Sequence, residues 1–241
     1  MTNVLKAPSP KPSASPSPLL RFYRSPIGKK VISGLTGLTL ATFVVVHLVG
    51  NLWLFAGSQA YNAYAHHLES WGLFLRALEL GLAIALFLHV MVGVEIFLNR
   101  RRSRPEPYQE YQSVGTNSYQ SISSRTMILT GGGLAIFLVS HLVTFKLGPY
   151  YPTQGQGETI RDLARLVIQV FHSPTYLVAY TLALLALGLH LRHGLWSGLQ
   201  SLGLLQAGVR SLAYAASLVV AIALVLGFLV LPWSIYLGAI A

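Results

Sequence analysis

Five stretches of about twenty apolar residues, each nearly free of charge, constrain this chain more than any other feature of its sequence. They run from Val31 to Ala56, Leu75 to Leu98, Thr126 to Leu147, Pro174 to His193 and Val209 to Pro232. Each is long enough to carry a helix across about 30 Å of hydrocarbon, where the backbone must satisfy its own polar groups. The expected fold is therefore all-α, an integral membrane bundle of five transmembrane helices spanning residues 21–241. Residues 1–20, rich in Pro, Ser, Ala and Lys, have too little apolar content to bury a core and read as a disordered tail. They also lack the apolar segment of a cleaved signal peptide. Gly194 to Gly208, rich in Gly, Ser and Gln, reads as a turn, and Glu158 to Phe171 as a short interfacial helix.

Composition narrows the chemistry. The chain is 53% hydrophobic and 10% charged, and it has no cysteine, so by itself it builds neither a disulfide nor an iron–sulfur cluster. Its net charge of +10 does not indicate nucleic acid, because the basic residues flank apolar spans rather than exposed aromatics. Thirteen of them fall on one side: Lys6, Lys11, Arg21, Arg24, Lys29 and Lys30, then Arg100, Arg101, Arg102, Arg104 and Arg125, then Arg192 and Arg210. Only Arg76, Lys146, Arg161 and Arg165 fall on the other. The positive-inside rule then places the N-terminus in the cytoplasm and the C-terminus outside.

Ionisable groups inside a span are costly and mark function. Four spans each carry one such histidine, His47, His89, His141 and His190, and the fifth has none. Counting about 1.5 Å per residue from the middle of each run, His47 and His141 lie roughly 5–6 Å past centre on outward-running helices. His89 and His190 lie roughly 4 and 10 Å past centre on inward-running ones. Two pairs at two depths are what bis-histidine ligation of two stacked haems requires. A single buried histidine is as well explained by a hydrogen bond between helices. Gly50, Gly93 and Gly194, three or four residues after a histidine, suit porphyrin clearance, whereas Gly34, Gly37 and Gly131 to Gly133 fit clearance and small-residue packing equally. His193 competes with His190 as a ligand, but it is one turn closer to the cytoplasm and beside Arg192, which suits a haem propionate or the surface. His66 and His67 read as solvated loop residues, and His172 as interfacial.

The residues Ser25-Pro26-Ile27-Gly28-Lys29-Lys30, Thr36-Gly37, His47-Leu48-Val49-Gly50-Asn51-Leu52, Tyr61-Asn62-Ala63-Tyr64-Ala65, His190-Leu191-Arg192-His193-Gly194 and Gln200-Ser201-Leu202-Gly203 together resemble the dihaem cytochrome b subunit of succinate dehydrogenases and fumarate reductases. The resemblance covers roughly residues 21 to 236. It implies two haems b, the outer on His47 and His141 and the inner on His89 and His190. It also implies a bacterial cytoplasmic membrane, a flavoprotein and an iron–sulfur subunit on the cytoplasmic side, and electron transfer to quinone. Glu69 resembles a glutamate that the fumarate reductases carry near their outer quinone site; a solvated loop acid is the other reading. Where those enzymes have a second glutamate in the fourth helix, this chain has Gly188. Glu79 and Glu95 are secondary proton-transfer candidates or salt-bridge partners at the ends of the second span. A transmembrane haem path makes turnover sensitive to voltage, about 2.3 kcal/mol per charge per 100 mV, which favours menaquinone over ubiquinone. Two alternatives remain: the cytochrome b of another enzyme, of hydrogenase or formate dehydrogenase type, and a haem-free transporter with buried histidines.

Overall fold

A computed structural model describes residues 17–103, 121–155 and 157–240. Residues 1–16 of the expected tail lie outside the described residues, as does Arg104 of the arginine cluster. Among the described residues five helices are long and apolar enough to cross a membrane: Pro26–Ala56, Leu73–Ser103, Met127–Lys146, Pro174–Ser201 and Ala207–Tyr236. The chain is an all-α, multi-pass membrane bundle. The ends at Pro26, Ser103, Met127, Ser201 and Ala207 form its amino-terminal face, and the other ends form the far face.

Local chemistry sets the span boundaries. The last residues of the expected tail are helical: α1 spans Pro18–Arg24. Ser25 is extended, closes α1 and caps α2 (Pro26–Leu52) by accepting a 2.9 Å hydrogen bond from the Gly28 N–H. Pro26 occupies the first helical position, where its missing N–H costs nothing. A 3-10 turn, Trp53–Ala56, completes the first span. On the far face the segment read from sequence as a loop is a helix, α3 (Ser58–Ser70), entered through Gly57 at φ 103°. The second span, α4 (Leu73–Ser103), continues past Leu98 through three arginines, which suit a helix C-terminus. The short α5 (Ile122–Arg125) leads into α6 (Met127–His141), and the third span ends in a π-helical turn, Leu142–Lys146.

The interfacial helix expected over Glu158–Phe171 is only half helix. Pro152–Gly155 (β1) and Glu158–Arg161 (β2) pair antiparallel, Pro152 opposite Arg161 and Gly155 opposite Glu158. Helix α7 (Leu163–Phe171) then begins at Asp162, whose carboxylate accepts from the Arg165 N–H at 3.0 Å. The guanidinium of Arg161 donates to the carbonyls of Phe145, Gly148 and Pro149, at 3.0, 3.4 and 3.1 Å. In this way β2 serves the bare carbonyls beyond the third span.

The fourth span, α8 (Pro174–Ser201), takes up the first half of the segment expected to be a turn, and the chain turns only after it, with Gly203 at φ 71°. Small residues there serve close helix packing instead of a turn. A Cβ on Gly198 would sit 3.2 Å from Leu38 Cγ, and one on Gly34 would sit 3.2 Å from the Gly198 carbonyl. The fifth span is α9 (Arg210–Tyr236), preceded by a 3-10 turn, and it continues beyond Pro232. Membrane helices tolerate an internal proline because neighbouring helices cover the freed backbone.

Among the described residues two cores hold the bundle. The larger, toward the far face, joins Leu54, Tyr61, Ala164, Phe171, Tyr180 and Ile235. The smaller, toward the amino-terminal face, joins Ala41, Leu191, Ala221 and Leu224.

Candidate functional site

The four intramembrane histidines face one another in two pairs. The rings of His47 (α2) and His141 (α6) have centres 5.8 Å apart, and those of His89 (α4) and His190 (α8) have centres 6.1 Å apart. Contacts on three helices fix the spacing between the pairs. On α2, His89 touches Ser33, Thr36 and Gly37, which precede His47 by ten to fourteen residues. On α6, His190 touches Thr130 and Gly131, ten to eleven residues before His141. On α8, His141 touches Tyr180, ten residues before His190. At about 1.5 Å per residue each helix puts the far pair roughly 15–20 Å from the near pair along the bundle.

Neighbours orient the rings. The Nδ1–H of His89 donates to the Ser33 carbonyl at 3.3 Å, with Thr36 Oγ1 at 3.4 Å. Thr130 Oγ1 lies 3.2 Å from His190 Nδ1, and the Tyr180 hydroxyl 3.1 Å from His141 Nδ1. Three rings thus engage Nδ1 and leave Nε2 for a ligand, the arrangement by which second partners fix metal-binding imidazoles. His47 differs: the Asn51 amide donates to the His47 carbonyl at 2.8 Å and lies 3.3 Å from Nε2. Asn51 in turn accepts from the Tyr61 hydroxyl at 3.2 Å. Burial, and then the nearby Tyr64, pushes the Tyr61 phenol up to about 12, so it stays protonated and able to donate.

Glycines give the near rings room. A Cβ on Gly37 would lie 2.9 Å from His89 Cε1, and one on Gly131 would lie 3.2 Å from His190 Cε1. Both pairs line a continuous cavity of about 2090 Å³. Ordinary small-molecule pockets hold about 300–1,000 Å³. Among the described residues no three His, Cys, Asp or Glu side chains converge on one point, so each level offers two imidazole donors. Two imidazoles on one metal, with bonds of about 2 Å and about 1 Å more to each ring centre, stand roughly 6 Å apart, as both pairs do.

The other expected site residues are dispersed. His193 lines the cavity beyond His190, toward the amino-terminal face; its ring centre is 6.3 Å from that of Trp196, and its buried Nδ1 has no hydrogen bond. Glu69 is exposed on α3 and borders the far end of the cavity. Glu79, in the same region, is engaged by Lys146 and Arg76. Glu95 is held by Lys29 at 2.9 Å and by the Tyr23 hydroxyl at 2.8 Å. His66 approaches Glu158 at 3.2 Å, His67 packs edge-on to Trp71, and His172 is exposed, its Nδ1–H donating to the Ile168 carbonyl at 2.8 Å. Sequence reasoning missed Asn51, Thr130 and Tyr180. Thr130 stands beside a glycine run, and Tyr180 stands ten residues from His190 as Gly131 stands from His141; that common interval was the available signal.

Fold and site define a multi-pass helical membrane protein with two facing pairs of intramembrane histidines. No protein-family model, curated protein or solved structure matches the chain.

Proposed function

We propose that this chain is the dihaem cytochrome b membrane anchor of a bacterial succinate:quinone oxidoreductase, with its amino-terminal face in the cytoplasm. The observation that carries the reading is the pair of facing imidazole couples at two levels, each spaced for one metal between them. His47 and His141 would hold the outer haem, and His89 and His190 the inner one. When bound, the haems supply one-electron transfer between an iron–sulfur subunit, itself served by a flavoprotein, and a quinone that needs two electrons. The chain's own residues orient and shield: Ser33, Thr130 and Tyr180 fix the rings, and the apolar spans exclude water. His193, with its buried Nδ1 at the inner end of the cavity, is the propionate candidate. Glu69 borders the cavity at its outer end, where a quinone takes up or releases protons. A charge path across the bilayer favours menaquinone.

Purification of the complex tests the reading. Two low-spin, six-coordinate haems b per chain are expected, together with copurifying flavoprotein and iron–sulfur subunits. A single haem per chain overturns the pairing, and hydrogenase or formate dehydrogenase subunits in the preparation overturn the assignment of partners.

A further inference from the structure

We propose that the amino-terminal face binds anionic phospholipid, with α1 lying in the plane of the headgroups as an interfacial anchor. The inference is independent of the haems. Helix α1 is two-sided: at 100° per residue Leu19, Phe22 and Tyr23 share one face, while Arg21 and Arg24 point the other way. The extended Ser25 breaks the chain between α1 and α2, so α1 does not prolong the first span. Its direction is fixed by Tyr23, which donates to Glu95 on α4 at 2.8 Å, and Lys29 completes that tie at 2.9 Å.

Two kinds of side chain are left facing outward there. Leu19, Phe22 and Ile27 are 82%, 46% and 73% exposed. Beside them lie exposed Arg21, Arg24 and Lys30 and the exposed Arg100, Arg101 and Arg102 at the end of α4. Glu95, the nearby acid among the described residues, is already engaged by Lys29. Water would solvate the cations but leave the apolar side chains exposed. An acidic protein surface would pair the charges but gain nothing from Leu19 and Ile27. A phospholipid monolayer meets both demands, placing phosphates against the basic residues and acyl chains against the apolar ones.

The test uses the full chain in nanodiscs of phosphatidylcholine, alone or mixed with phosphatidylglycerol. Because the chain has no cysteine, Phe22→Cys carries a single polarity-sensitive label. The label should report an apolar environment, and phosphatidylglycerol should be enriched over phosphatidylcholine among the lipids retained with the protein. Arg21→Gln with Arg24→Gln should cut that enrichment roughly thirtyfold, at about 1 kcal/mol for each of the two basic residues. Arg21→Lys with Arg24→Lys should restore it, which separates charge from misfolding. Equal retention of the two lipids overturns the proposal. So does a label that stays wet in lipid and becomes shielded only when soluble partner subunits are added, since the face is then a protein-docking surface.

Discussion

The far and near histidine pairs have the same donors and nearly the same spacing, yet the protein builds them from different materials. The far pair sits in an aromatic surround: Phe137 and Phe145 have ring centres 5.8 and 5.3 Å from that of His141, and Phe171 packs edge-on to Tyr180 at 4.9 Å. Its supports, Asn51 and Tyr61, belong to the end of the first span and to α3 on the far face. The near pair rests on glycines and on threonine and backbone oxygens within the spans. The far pair is held in part by elements beyond the spans, through Tyr61 of α3 and Phe171 of α7, whereas the near pair depends on close packing between the spans alone. Perturbations of the far face and of the spans should therefore separate the two.

The largest effect is expected from the histidines proposed as haem ligands. His141→Ala should remove the far haem and leave the near one, and His190→Ala the reverse, each halving the haem content read by pyridine haemochrome. Loss of both haems in both variants would show that the pairs are not independent. Next is Gly37→Leu, which drives a side chain into His89; overpacking of this kind costs about 1–3 kcal/mol. Redox-resolved spectra should show the near haem depleted and the far one intact, and the comparison fails if the far haem goes first. Asn62→Ala works from the other side. Buried Asn62 donates to Asp162 at 2.8 Å and accepts from the Ala164 N–H at 2.9 Å, so truncation strands groups worth about 1–3 kcal/mol. Thermal melting followed at each haem should show the far site released at a lower temperature, the near site being unmoved. The mildest change is Glu69→Gln on an exposed position. Both haems and succinate oxidation with a soluble acceptor should persist while quinone-linked turnover drops; full quinone activity would make Glu69 a surface acid only.

The difference between the pairs also explains what was legible. Long apolar runs and one histidine in each of four spans can be read without tertiary information, because hydrocarbon permits a helix and little else. Helix α3 was opaque because its polar sequence owes its structure to partners far along the chain, although Tyr61, Ala65 and Leu68 at helical spacing carried a faint signal. The β1–β2 hairpin was hidden for a related reason: its apolar spacing overlaps that of the helix after it. Gly194 to Ser201 misled in the opposite sense, since glycine and serine punctuate soluble chains but serve close packing between membrane helices. The hydroxyls beside the rings follow from which helices neighbour each other, and that is not written in any one segment.

The bond between Asn62 and Asp162 joins positions one hundred residues apart, and this sets an order on assembly. Chains grow at about 5–20 residues per second, so α3 is made roughly 5–20 s before the start of α7. During that interval Asn62 lacks its partner and the support that runs through Tyr61 and Asn51 to His47 is incomplete. The near pair waits longer still, because His190 is made after Asp162. Neither histidine couple is complete while the first two spans stand alone, and the aromatic surround of the far pair closes only when the fourth span brings Tyr180 into place.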